Sequence, residues 1–143
     1  MTSDLITKCV PVNYVPEATC PTFRGFLERI TNGNQELIGF LQRFSGYSLT
    51  ASTQEQCLFI FHGDGANGKS TFLNLMRWIM GPYATQAQAD TFMIRKSEGV
   101  RSDIARLDGF RMVVSSENEM HQHFAEAIVK QFTGGDPIVA RHL

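Results

Sequence analysis

Cysteine is scarce in this chain. Cys9, Cys20 and Cys57 are the three among 143 residues, odd in number and without a C-x-x-C pair. They read as ordinary reduced thiols of an intracellular protein rather than as a disulfide framework. Long apolar runs are missing too. The longest, Cys57 to Phe61, is far too short to span a bilayer, which excludes a membrane-spanning helix. The N-terminal Met1-Thr2-Ser3-Asp4-Leu5 has no basic region followed by an apolar stretch, so no secretory signal is read there and the cytoplasm is the expected location. Nor does one sign of charge dominate. Thirteen Lys and Arg stand against 14 Asp and Glu, for a net charge of −1 and a pI near 6.4. That balance excludes a polybasic tail, and any nucleic-acid contact has to come from a local patch. Internal repeats and low-complexity tracts are absent as well.

What remains is a chain that is 43% hydrophobic, enough to bury one core, and one domain is the default. Its most informative stretch is Gly63-Asp64-Gly65-Ala66-Asn67-Gly68-Lys69-Ser70, which fits the phosphate-binding pattern G-x-x-x-x-G-K-[ST]. Before it, Cys57-Leu58-Phe59-Ile60-Phe61 has the length and composition of a buried strand. After it, from Thr71 to Met80, Phe72, Leu73, Met76, Ile79 and Met80 recur at the spacing of a one-faced helix. Strand, glycine-rich turn and helix make the context in which such a loop works. Glycines let successive N–H groups turn inward at an anion, and the new helix offers its positive end to the same charge. Lys69 is placed to reach the β- and γ-phosphates of a nucleotide, and the Ser70 hydroxyl to complete a Mg²⁺ shell.

Around this centre, residues 1–21, with Pro11, Pro16 and Pro21, read as an extended arm. Thr22 is a candidate N-cap for a helix faced by Phe23, Phe26, Leu27 and Ile30. After the turn Thr31-Asn32-Gly33-Asn34, a second helix is predicted from about Gln35 to Ser45, with Gly46 as its stop. Tyr83 to Arg95 shows no clean periodicity. Ser102 to Leu107 reads as a short helix and Asp108-Gly109 as a turn. Arg111-Met112-Val113-Val114-Ser115 reads as a strand, Phe124 to Phe132 as a helix, and Ile138-Val139-Ala140 as the start of a further strand.

A nucleotide-hydrolysing loop of this kind needs a second acidic element at the end of a neighbouring strand, to hold Mg²⁺ and polarise water. Glu117, just after the apolar strand, is the candidate, with Glu119 as helper; Ser116 stands where such pairs usually carry their first acid. Parallel strands would deliver the loop and Glu117 to the same sheet edge, where ligands of open α/β folds bind. The bland alternative is a solvated loop acid. His121 and His123 have no further Cys or His nearby and read as solvated helix-start residues rather than metal ligands; His62 reads as a strand-end residue. Arg95, Lys96, Arg101, Arg106 and Arg111 form a basic cluster whose plain reading is a solvated surface. Its functional reading is contact with nucleic-acid phosphate or with a neighbouring subunit's nucleotide.

Three stretches together carry a resemblance: Gly63 to Ser70, Asp103-Ile-Ala-Arg-Leu through Glu117, and Lys130-Gln-Phe-Thr-Gly-Gly-Asp-Pro-Ile-Val-Ala-Arg141. They resemble the superfamily 3 helicases, in the branch of phage and plasmid primase–helicases related to the poxvirus primase–helicase. Cys20-Pro-Thr-Phe-Arg-Gly-Phe-Leu and Phe44-Ser-Gly-Tyr-Ser-Leu-Thr50 resemble the helical segment ahead of the ATPase in that branch. The resemblance runs from about residue 9 to the last.

It implies an α/β fold: an AAA+-like P-loop NTPase core with a parallel sheet, preceded by a small helical segment. Residues 1–50 would form the arm and helical segment, and 51–143 the ATPase domain. It implies ATP and Mg²⁺ as cofactors, single-stranded DNA as partner, no membrane, and a ring that is usually a hexamer. Residues Gly63 to Thr71 would bind nucleotide, Ser70 and Glu117 the metal. Lys69, Glu117 and Glu119 would serve hydrolysis, while Lys130 and Arg141 would face DNA in the channel. Leu143 precedes the positions of the family's sensor asparagine and arginine finger, and no primase domain precedes Met1, so the expectation is a partial motor. Two other classes compete. A P-loop kinase would use Lys69 and Ser70 for phosphoryl transfer but needs an arginine-bearing lid, which Thr133 to Arg141 does not resemble. A truncated remnant would bind nucleotide or another subunit without turnover.

Overall fold

The computed structural model describes residues 7–10, 12–95, 101–116 and 123–141. Pro21 opens helix α1 (Pro21–Ile30), at a position where the missing N–H has no helical partner to lose and the ring presets φ. The helix therefore starts before Thr22, with Cys20 at the N-cap. Leu27 is buried, and Phe23, Phe26 and Ile30 pack beside it. Asn34 begins α2 (Gln35–Thr50) by accepting a hydrogen bond from the Leu37 N–H at 3.0 Å. Gly46 does not stop this helix, which ends only at Ala51 in the left-handed region (φ 58°). An interior glycine costs about 1 kcal/mol relative to alanine, and packing on both sides of it outweighs that. Phe44 meets the Phe59 ring edge-on at 4.8 Å, and Tyr47 meets the same ring at 6.4 Å.

Helix α3 (Lys69–Met80) buries Phe72, Met76 and Met80, the face that the spacing of apolar residues predicts. A 3₁₀ turn (Gly81–Tyr83) leads into strand β1 (Ala84–Ala87). After α4 (Ser102–Ala105), strand β2 (Met112–Ser115) runs parallel to β1, with Ala84 opposite Met112 and Ala87 opposite Ser115. Helix α5 (Glu126–Gly134) follows. It starts two residues later than the periodicity suggests, because Phe124 is held in an antiparallel bridge with Met93. The architecture is mixed: helices with a small parallel two-stranded sheet among the described residues.

Two expected strands do not form. From Cys57 to Phe61 the alternation survives, with Phe59 and Phe61 packed inward and Leu58 and Ile60 exposed. No backbone ladder joins this segment among the described residues. Side chains alone hold it, through Phe44 and Phe72. Ile138 to Ala140 is likewise irregular, and Val139 is 97% exposed. A strand needs a partner for its N–H and C=O groups, and neither stretch has one within the described part.

The core joins both ends of the chain's order. Leu27, Leu41 and Phe44 from α1 and α2 cluster with Phe72, Met76 and Met80 of α3 and Met112 of β2. The N-terminal arm is tied down as well. The Lys8 ammonium donates to the Gly109 carbonyl at 2.8 Å, and the Tyr83 hydroxyl donates to the Lys8 carbonyl at 2.7 Å.

Candidate phosphate-binding loop

The loop from Gly63 to Ser70 is built on three backbone positions in the positive-φ region. Gly63 (φ 143°) and Gly68 (φ 87°) take them as glycine does without strain. Ala66 does so at φ 60°, a conformation that costs an L-residue of order 1–2 kcal/mol. Gly68 is also the N-cap of α3, so the turn ends where the first free N–H groups of the helix begin. Helix α1 braces this junction: a Cβ on Gly68 would lie 2.6 Å from Ile30 Cγ2 and 3.3 Å from the Phe26 ring. These two α1 residues read from sequence as plain core. Their role in setting the loop has no signature in spacing, because it arises from contact between segments about 40 residues apart.

Lys69 folds back over the loop. Its ammonium donates to the Gly63 carbonyl at 2.7 Å, the Asp64 carbonyl at 3.1 Å and Asn67 Oδ1 at 2.9 Å. The three bonds match the three protons of the ammonium. Asn67 Oδ1 also lies 3.4 Å from the Lys69 backbone nitrogen. A positive side chain and the N-terminus of α3 thus lie together beside an exposed glycine-rich turn, the chemistry that suits an anion. Ser70 and Thr71 are exposed on the first turn of α3 beside it, and Asp64, Gly65 and Ala66 form the open rim. Two concavities lie elsewhere among the described residues. One, of about 330 Å³, is lined by Asn74, Arg77 and Trp78; the other, of about 210 Å³, lies among Phe44, Met76 and Met112. A helix N-terminus meets an anion at the surface, without an enclosed cavity.

Glu117 and Glu119 lie outside the described residues, as do Lys96 and His121. The described part of their strand ends at Ser115, whose hydroxyl donates to the Gln88 carbonyl at 3.3 Å, and at exposed Ser116. Among the described residues no three His, Cys, Asp or Glu side chains converge as metal ligands. Lys130 is exposed on α5 beside Glu126, at 3.5 Å, and Arg141 is exposed beyond the helix.

The basic cluster divides. Arg95 pairs with Asp103 at 2.9 Å and Asp90 at 3.1 Å, while Arg101 pairs with Asp103 at 3.1 Å and donates to the Thr91 carbonyl. Burial pushes the Asp103 carboxyl up, but the hydrogen bond and charge of Arg101, the charge of Arg95 and the Ile104 N–H outweigh it. They hold the group below its ordinary value of 3.8. Arg111 lies over the Tyr83 ring at 4.1 Å and donates to the Leu49 carbonyl at 2.8 Å. Three of these cations therefore serve the fold, and Arg106 is exposed. Arginines near acids in sequence do not announce such pairing; Asp103 closes it through space.

No helix of the described residues is long and apolar enough to cross a membrane. The chain matches no protein-family model and no solved structure. It is similar to a protein of Acanthamoeba polyphaga mimivirus named "Putative helicase L207/L206", with 24% identity over 146 residues. The match takes in 98% of this chain but only 15% of that protein, so the chain spans a small part of the relative's length. At that identity the likeness points to helicase-related proteins and no more finely.

Proposed function

We propose that this chain is the nucleotide-binding part of a helicase ATPase, of the superfamily 3 primase–helicase kind, with a P-loop NTPase fold. The observation that carries this reading is the Lys69 ammonium held at the N-terminus of α3 within the Gly63–Ser70 loop. The similarity, along nearly the whole chain, to a protein named as a helicase supports it. In this reading the N–H groups from Gly65 to Thr71 and the Lys69 ammonium bind the phosphates of ATP. Ser70 is exposed on the first turn of α3 beside the loop, and its hydroxyl is a hard oxygen of the kind a divalent cation takes. Ser70 and the Glu117 carboxylate would hold Mg²⁺, which supplies charge neutralisation on the phosphates. Glu117, with Glu119 beside it, orients and polarises water for hydrolysis. Lys130 and Arg141 contact the phosphates of single-stranded DNA, and ring assembly completes the sites.

The test is ATP hydrolysis by the chain, and by a longer form carrying further helicase sequence, with and without single-stranded DNA. Stimulation by DNA supports the helicase reading. Nucleotide binding without turnover in either form favours a non-enzymatic nucleotide-binding role, and transfer of phosphate to a small acceptor favours a kinase.

A further inference from the structure

The Asn67 side chain lies across the loop at the start of α3. Its Oδ1 accepts from the Lys69 ammonium at 2.9 Å and approaches the Lys69 N–H at 3.4 Å. Those are two donors of the kind that a β-phosphate oxygen takes from such a loop. Room for this arrangement is made by Gly63. A Cβ there would lie 2.6 Å from Asn67 Nδ2, so the first glycine of the loop leaves the space that the amide fills. With the Gly63 and Asp64 carbonyls the amide saturates the ammonium, and no proton of Lys69 is left for a ligand.

Of the three acceptors, Asn67 Oδ1 alone belongs to a side chain. It can swing away by rotation about its own χ angles, while the carbonyls move only with the backbone. An incoming phosphate therefore displaces the amide first.

We infer that Asn67 is a positioning residue that acts as an internal stand-in for phosphate: it holds Lys69 and competes with the nucleotide for it. This inference rests on the phosphate-binding reading of the loop. If a phosphate takes the place of the amide, the Asn67–Lys69 bond is given up on binding, and its removal destabilises only the form that carries it. Affinity then rises.

The experiment is calorimetric titration of the parent chain, Asn67→Ala, Asn67→Asp and Lys69→Ala with Mg²⁺–ATP and separately with Mg²⁺–pyrophosphate, with the melting temperature of each variant recorded. Asn67→Ala is expected to bind both ligands about three- to tenfold more tightly, by the same factor for each, since the competition is with phosphate and not with base or sugar. Asn67→Asp keeps the size of the side chain and places a carboxylate on Lys69, and is expected to bind both at least tenfold more weakly. Unchanged or weaker binding by a folded Asn67→Ala overturns the inference. If that variant does not fold, unchanged or tighter binding by Asn67→Asp overturns it. A Lys69→Ala variant that binds as the parent does instead overturns the phosphate-binding reading, whatever Asn67 does.

Discussion

Ile30 of α1 closes the space above Gly68, with its Cγ2 placed 2.6 Å from where a Cβ on that glycine would stand. The loop that starts α3 is thereby pinned by a helix from the first third of the chain. A side chain at position 68 meets two obstacles at once, the positive φ of 87° and the α1 wall.

Gly68→Ala is accordingly expected to lower Mg²⁺–ATP affinity at least tenfold and to destabilise the fold by about 2–4 kcal/mol, from φ strain and overpacking together. Ile30→Ala removes the wall, so the double variant should be destabilised by less than the sum of the singles. Strict additivity in urea unfolding would show that Ile30 and Gly68 do not press on one another.

The aromatic centre offers a test of the packing. Phe44 meets Phe59 at 4.8 Å, Phe61 at 5.2 Å and Phe72 at 6.2 Å, and it is all but enclosed. Phe44→Ala should cost about 3–5 kcal/mol and release the Cys57–Phe61 segment, which side chains hold. Denaturant titration checks the first. Limited chymotrypsin cleavage after the half-buried Phe59 and Phe61 checks the second: cleavage as slow as in the parent would mean that the segment is held by something else.

Much of this was legible in the sequence. Loop and α3 were so because a glycine pattern and a one-faced apolar spacing are both local signals, and Phe72, Met76 and Met80 lie inward as that spacing requires. Strand β1 was not, since Ala84-Thr85-Gln86-Ala87 carries neither alternation nor an apolar run; it exists through its pairing with β2. Conversely Cys57 to Phe61 looks like a strand by composition, yet pairing is a property of neighbours, and none joins it among the described residues. Gly46 misleads for a similar reason, because the contacts of Tyr47 carry α2 past it. Within the loop, the pattern names the residues but not the contact of Asn67 with Lys69.

Asp103 makes stability depend on acid. Its carboxyl sits between Arg95 and Arg101 with its side chain 11% exposed, and its folded pKa lies below the ordinary 3.8. The stabilisation it gives is present above the ordinary value and is lost as pH falls through the lower, folded value. Asp103→Asn should cost about 1–3 kcal/mol near neutral pH. That deficit should shrink as the parent is titrated from about pH 6 to below pH 3. A deficit that stays constant across this range would mean that the charge on Asp103 contributes nothing.

The role proposed for Glu117 separates binding from chemistry. Glu117→Gln keeps shape and removes charge, so in an ATPase-competent form hydrolysis should fall at least about a hundredfold while nucleotide affinity stays within a few-fold. Loss of turnover in Glu119→Gln, with Glu117→Gln normal, would move the catalytic acid two residues along.

Lys69 and the start of α3 are proposed to hold nucleotide phosphate, and Lys69→Ala removes the charge on which that binding depends. The ammonium bonds only to loop oxygens within the described structure and has no part in the core, so the variant should fold with a melting temperature close to the parent's. A charge-assisted contact of about 1.5–3 kcal/mol is lost with it, and calorimetry should show Mg²⁺–ATP binding weakened at least about tenfold. Binding as tight as the parent's, in a folded Lys69→Ala, would contradict the account.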